Sequence, residues 1–254
     1  GSGRAWEITN TFNFDHGLVT LADGGTLRLA PNGSGFIGEQ GLLSLNDGRL
    51  LGGQFGPRID NEGTIEGSGD IEPSIENRRG GIVRVGSGQR LALGGLENSA
   101  TVDVNDGELE VTGTIDTQGT VELADATVRA GGPQSEGLLN LGGGEVRIYA
   151  GKNRLHGHVI NQARLIVTGN STATFFDPVE NSGLFSVSAG STALLLDDYS
   201  GNGIFGDGQV VFEGDVNLPR GGQLAQFESD VEFTASAEWT VDVAPLAHDG
   251  TVTT

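Results

Sequence analysis

A chain of 254 residues with 44 glycines, 7 prolines, no cysteine and no methionine has no means of forming a disulfide scaffold, and without a G-X-Y period it is not collagen. Its formal charge of −20 comes from 34 acidic and 14 basic residues, Lys152 being the one lysine, so it repels nucleic acid and anionic membrane, which are bound through lysine and arginine. No apolar run approaches the roughly 18 residues of a membrane span, so membrane insertion is not expected.

In chain order, Gly1-Ser2-Gly3 reads as a cloning remnant, and residues 1–16 as an N-terminal cap or starting strand with Trp6, Ile8, Phe12 and Phe14 at even spacing. A stacked array exposes core and unpaired backbone at an open end, so Trp6, Phe12 and Phe14 are candidate assembly residues. Repeats fill residues 17–218. They open with Leu18–Leu21, the Asp23-Gly24-Gly25 turn and Thr26–Leu29. Further copies start near Gln40, Asn61, Asn77, Asn98, Thr117 and Glu136. Residues 219–254 hold longer alternating runs, among them Trp239–Val243, and continue the array or are cut short; Trp239 is a further assembly candidate.

The pattern is clearest between Asn161 and Leu218. Copies begin at Asn161, Asn181 and Asn202, the last lacking one residue between the asparagine and its first apolar position. Each holds short runs of period two, such as Leu184–Val187 and Ala193–Leu196, punctuated by Gly, Asn, Asp and Ser. Such runs are strands between tight turns. A repeat of about 20 residues has no way to bury its apolar face alone and must stack on its neighbours, strand on equivalent strand. The predicted fold is an all-β, right-handed parallel β-helix, or β-solenoid. The recurring Asn61, Asn77, Asn98, Asn161, Asn181 and Asn202 then have one of two structural roles, a left-handed turn position or an internal amide ladder.

Asn61-Glu62-Gly63-Thr64-Ile65 and Asn181-Ser182-Gly183-Leu184-Phe185 carry a resemblance to bacterial secreted and surface β-helix proteins, namely autotransporter passenger domains and the repeats of large adhesins. The resemblance spans about residues 18–218. It implies an extracellular or cell-surface location and a role as stalk, adhesin segment or assembly subunit, with end-to-end self-association, other surface proteins or carbohydrate as partners. At the C-terminal end no polar cap is evident in Asp249-Gly250-Thr251-Val252-Thr253-Thr254, and the expectation from that is a chain cut from a longer exported protein, or a terminus that stacks on a partner.

Enzymes occur on similar β-helices, so catalytic chemistry is sought residue by residue. Tyr149, Lys152, Arg154, His156 and His158 form the densest set of reactive types, and on one strand 152, 154, 156 and 158 share a face. That is how a polysaccharide lyase or hydrolase sets a base and a cation beside a uronate, but no paired carboxylate lies close in sequence. A calcium site is suggested by Asp207, in a segment with one degenerate copy of a calcium-binding nonapeptide, and by Asp197 and Asp198. Asp103, Asn105 and Asp106 begin like an EF-hand loop, but Gly107 stands where a ligand is needed. The expectation is a non-enzymatic extracellular module without a cofactor.

Overall fold

In the computed structural model, which describes residues 5–8, 11–30, 33–52, 58–131, 137–218, 226–227, 230–233, 239–241, 247–248 and 252–253, the chain is a parallel β-solenoid of about ten turns. The described strands pair in parallel with their equivalents in neighbouring turns, and most do so with both the turn before and the turn after. Three columns of strands form three faces. The first holds Ile115–Thr117, Leu138–Asn140, Val159–Asn161, Val179–Asn181 and Tyr199–Gly201. The second holds Thr120–Ala124, Glu145–Ala150, Arg164–Val167 and Leu184–Val187. The third holds Thr127–Ala130, Lys152–His156, Thr172–Phe175, Thr192–Leu195 and Gln209–Phe212.

Alternation in the sequence becomes internal rows on each face, because every second side chain of a strand points inward. On the first face the row runs Ile59, Ile75, Leu96, Ile115, Leu138, Val159, Val179, Tyr199 and Val216. On the third it runs Leu91, Leu109, Val128, Leu155, Phe175, Leu195 and Phe212. All of these are buried, at about 1.5–3 kcal/mol for each large side chain, and the rows interlock across the core, as where Phe175 meets Phe185 edge-on at 5.7 Å.

Tight corners need left-handed backbone. Asp23, Asp47, Asp106 and Asp125 supply it between the second and third faces, and Asn170 does so in a later turn. None of the asparagines at 61, 77, 98, 161, 181 or 202 is among the positive-φ residues, so the left-handed role considered for them falls to the aspartates and to Asn170.

The strand Ala5–Ile8 pairs with Thr26–Leu29, and Thr11–Ala22 pairs with Ser34–Leu51, both in parallel, so the first turn is built like those that follow. Beyond residue 218, Asp230–Phe233, Trp239–Val241 and Val252–Thr253 each stack on a preceding strand. Residues 1–4, including the proposed cloning remnant, lie outside the described set.

Candidate functional site

The interior polar column is the feature most sharply built. Asn61, Asn77, Asn98, Thr117, Asn140, Asn161 and Asn181 occupy one register position on the first face and are all at most 2% exposed. Asn61 donates from Nδ2 to Oδ1 of Asn77 at 2.8 Å, Asn77 to Asn98 at 2.8 Å, and Asn98 to the Thr117 hydroxyl at 3.0 Å. A second run goes from Asn140 to Asn161 at 2.7 Å, Asn161 to Asn181 at 2.7 Å, and Asn181 to the Tyr199 hydroxyl at 3.1 Å. Tyr199 in turn donates to the Asn202 carbonyl, and burial pushes its own pKa well above the ordinary phenol range, so it remains a donor. Most rungs also reach a backbone carbonyl at the start of the next turn's second-face strand, as Asn140 does to Arg164 at 2.8 Å.

Asn202 is not a rung. Asn181 stands opposite Gly201, which puts Asn202 one position further along, with its side chain donating to the exposed carbonyl of Ser182 at 2.8 Å. The missing residue of that copy lies after Gly203, since Phe185 is opposite Ile204. Thr117, Asn140 and Tyr199 are the rungs that the recurrence of asparagine did not reveal. Stepping one turn length from Asn98 and from Asn161 would have reached the first two.

The basic segment divides at a corner. Lys152, Arg154 and His156 project outward from the strand Lys152–His156 on the third face, alternating with buried Asn153 and Leu155. His158 lies beyond Gly157, and its Nε2 is 3.2 Å from Glu180 Oε1 on the first face. The expected common face for all four therefore ends at Gly157. Its φ of +105° bends the chain, and a Cβ there would lie 1.9 Å from the Ala130 carbonyl oxygen. His156 and His158 instead share a cleft of about 520 Å³ with Glu110, Arg129 and Asp177, while Lys152 and Arg154 stand outside it.

The groups lining this cleft are committed to structure. Glu110 is bonded to Arg90, Arg129 donates to Glu108 at 2.8 Å, and Asp177 accepts the Gly157 amide at 2.7 Å. His156 stacks flat on Phe176, with ring centroids 4.2 Å apart and planes 11° from parallel. Desolvation, then Arg129 and Arg154, lower its pKa, while Asp177 and Glu108 pull the other way. Tyr149, on the second face, has its pKa raised by desolvation and by Asp103 and Glu122.

No family model, curated protein or solved structure matches this chain.

The calcium candidates are not brought together. Asp197 and Asp198 lie at the corner between the third and first faces, where Asp197 Oδ1 accepts the Asp198 amide at 2.8 Å and Asp198 Oδ1 accepts that of Asp215 at 3.1 Å. Asp207 is exposed at the opposite end of the strand Gln209–Phe212, a face away. Among the described residues no group of three or more His, Cys, Asp or Glu could hold a metal ion.

Of the assembly candidates, Trp6 is 59% exposed although it sits in register with buried Leu27, because no described strand covers its other side. Phe12 is buried, and half-buried Phe14 packs edge-on against it at 5.0 Å. Trp239 pairs through its backbone with Val216, and its side chain lies outside the described set.

Proposed function

We propose that this chain is a non-enzymatic structural segment of an extracellular or cell-surface protein, serving as stalk, adhesin segment or end-to-end assembly unit. The observation that carries this reading is the parallel stacking of equivalent strands, turn on turn, among the described residues from Ala5–Ile8 to Val252–Thr253, over an internal amide column. Cohesion between turns then comes from the chain alone, through repeating contacts that need no ligand. Further support comes from the cleft, whose carboxylates and Arg129 are occupied by structural partners rather than poised for proton transfer. Trp6, a core-register residue left open, provides an apolar surface on which a second copy or a surface neighbour stacks.

Light scattering after size exclusion, over a range of concentrations and with and without calcium, tests the assembly element. Mass above 26.2 kDa that grows with concentration and is lost in Trp6→Ser is the expected result. A monomer throughout overturns end-to-end stacking. Release of new chain ends from acidic or neutral polysaccharides overturns the non-enzymatic reading.

A further inference from the structure

We propose that the third face carries a binding surface for an acidic carbohydrate of the uronate type, centred on Lys152, Arg154 and His156. The surface does not depend on whether copies stack end to end. It begins in charge distribution: between residues 146 and 176 there is no acidic residue, although the chain as a whole holds 34 acids against 14 bases. The same stretch contains Arg147, Lys152, Arg154, Arg164, His156 and His158.

Two of those cations are uncommitted. Arg147 and Arg164 both engage Glu145, at 2.9 and 3.0 Å. Lys152 and Arg154 are exposed and have no ion pair among the described residues. They stand two residues apart on one strand, about 6.6 Å along the chain, with His156 a similar step further.

The register places these groups in a grid. Thr127 and Arg129 lie beside Arg154 and His156 on one side, and Thr172 and Thr174 beside Lys152 and Arg154 on the other, with rows about 4.8 Å apart. The grid thus offers three kinds of contact on one flat surface. Guanidinium and ammonium groups meet carboxylates, and half-buried threonines present hydroxyls. The stacked His156 and Phe176 cover one another's inner faces and add a half-buried aromatic step beside them, against which the C–H groups of a sugar ring can rest.

A neutral glycan would leave the two cations unused, and an acidic peptide would have little use for the aromatic step. A sugar chain bearing carboxylates uses all three. The row leads from Lys152 to His156, at the rim of the corner cleft.

The test titrates the full chain with oligogalacturonate by calorimetry. The same oligomer as its methyl ester, poly-glutamate and inorganic phosphate serve as comparators. We expect binding of the oligouronate, at least about tenfold weaker binding of the ester, and about 10- to 100-fold loss in the double variant Lys152→Gln/Arg154→Gln. Phe176→Ala should weaken the oligouronate several-fold. Arg79→Gln, which alters an exposed arginine elsewhere, should leave it unchanged. Both cations are exposed, so the double variant should melt like the parent protein, and loss of binding with an unchanged melt supports the surface. The proposal is overturned by absent binding at millimolar oligouronate, by equal affinity for poly-glutamate or phosphate, or by an unaffected double variant. It is also overturned if the double variant abolishes self-association, which would assign the patch to the acidic surface of a second copy.

Discussion

Replacing Asn161 with alanine should destabilise the solenoid by about 3–5 kcal/mol. Four hydrogen bonds disappear: the one received from Asn140 at 2.7 Å, those given to Asn181 at 2.7 Å and to the Leu184 carbonyl at 3.0 Å, and that from the Ala163 amide at 3.3 Å. Asn140 keeps its bond to the Arg164 carbonyl, so it is not stranded. Asn181 Oδ1, on a residue 1% exposed, loses its donor, which costs about 1–3 kcal/mol. The bond from Asn140 and the one to the Leu184 carbonyl add roughly 1 kcal/mol each in net stability. Asn202→Ala is the matched control: it removes one bond to an exposed carbonyl that water replaces, and should cost under about 0.5 kcal/mol. Chemical denaturation followed by far-ultraviolet circular dichroism reads both. A loss below about 1 kcal/mol for Asn161→Ala, or equal losses for the two variants, would refute the assignment of the column as a structural spine.

Thr117→Asn should stabilise by about 1 kcal/mol, because Asn140 Oδ1 is buried without a donor and the threonine does not supply one; a lower denaturation midpoint would contradict this. Gly157→Ala should cost more than about 2 kcal/mol in thermal or denaturant unfolding, since the backbone is left-handed there and the added carbon meets the Ala130 carbonyl oxygen; an unchanged melt would show that the corner yields freely. Stability should be complete above pH 6.5 and fall as pH drops from there toward the lowered folded-state pKa of His156, because the unfolded chain takes up that proton first. His156→Gln should flatten this limb of the pH profile, and a slope identical to the parent's would assign it elsewhere.

The period, the all-β class and the inward alternation were legible because they repeat, and repetition averages out local irregularity. The polar column was legible only where identity recurred, as at Asn61, Asn77 and Asn98. At Thr117 and Tyr199 a different side chain accepts the amide's proton, the tyrosine from the neighbouring apolar row, so the recurrence of asparagine does not point to them. Asn202 misled because Gly201 holds the register position and the deletion falls two residues later. The split of the basic segment depends on Gly157, whose left-handed turn changes faces in the middle of an alternating run. The contact of His156 with Phe176 spans one turn length, and nothing in a local window announces it.

The column of amides also has a direction. Within each of the two runs the amides give their protons toward the higher-numbered turn, so the bond dipoles add head to tail along the axis and strengthen one another, with a break between Thr117 and Asn140, whose Oδ1 has no donor. One end shows a bare carbonyl oxygen on Asn61, and the other is sealed by a phenol that passes its proton to the main chain. The spine therefore has a receptive end and a finished end. A donor-bearing side chain in place of Ile37, which stands opposite Asn61 in the preceding turn, would extend the line there, whereas at Tyr199 it is already closed.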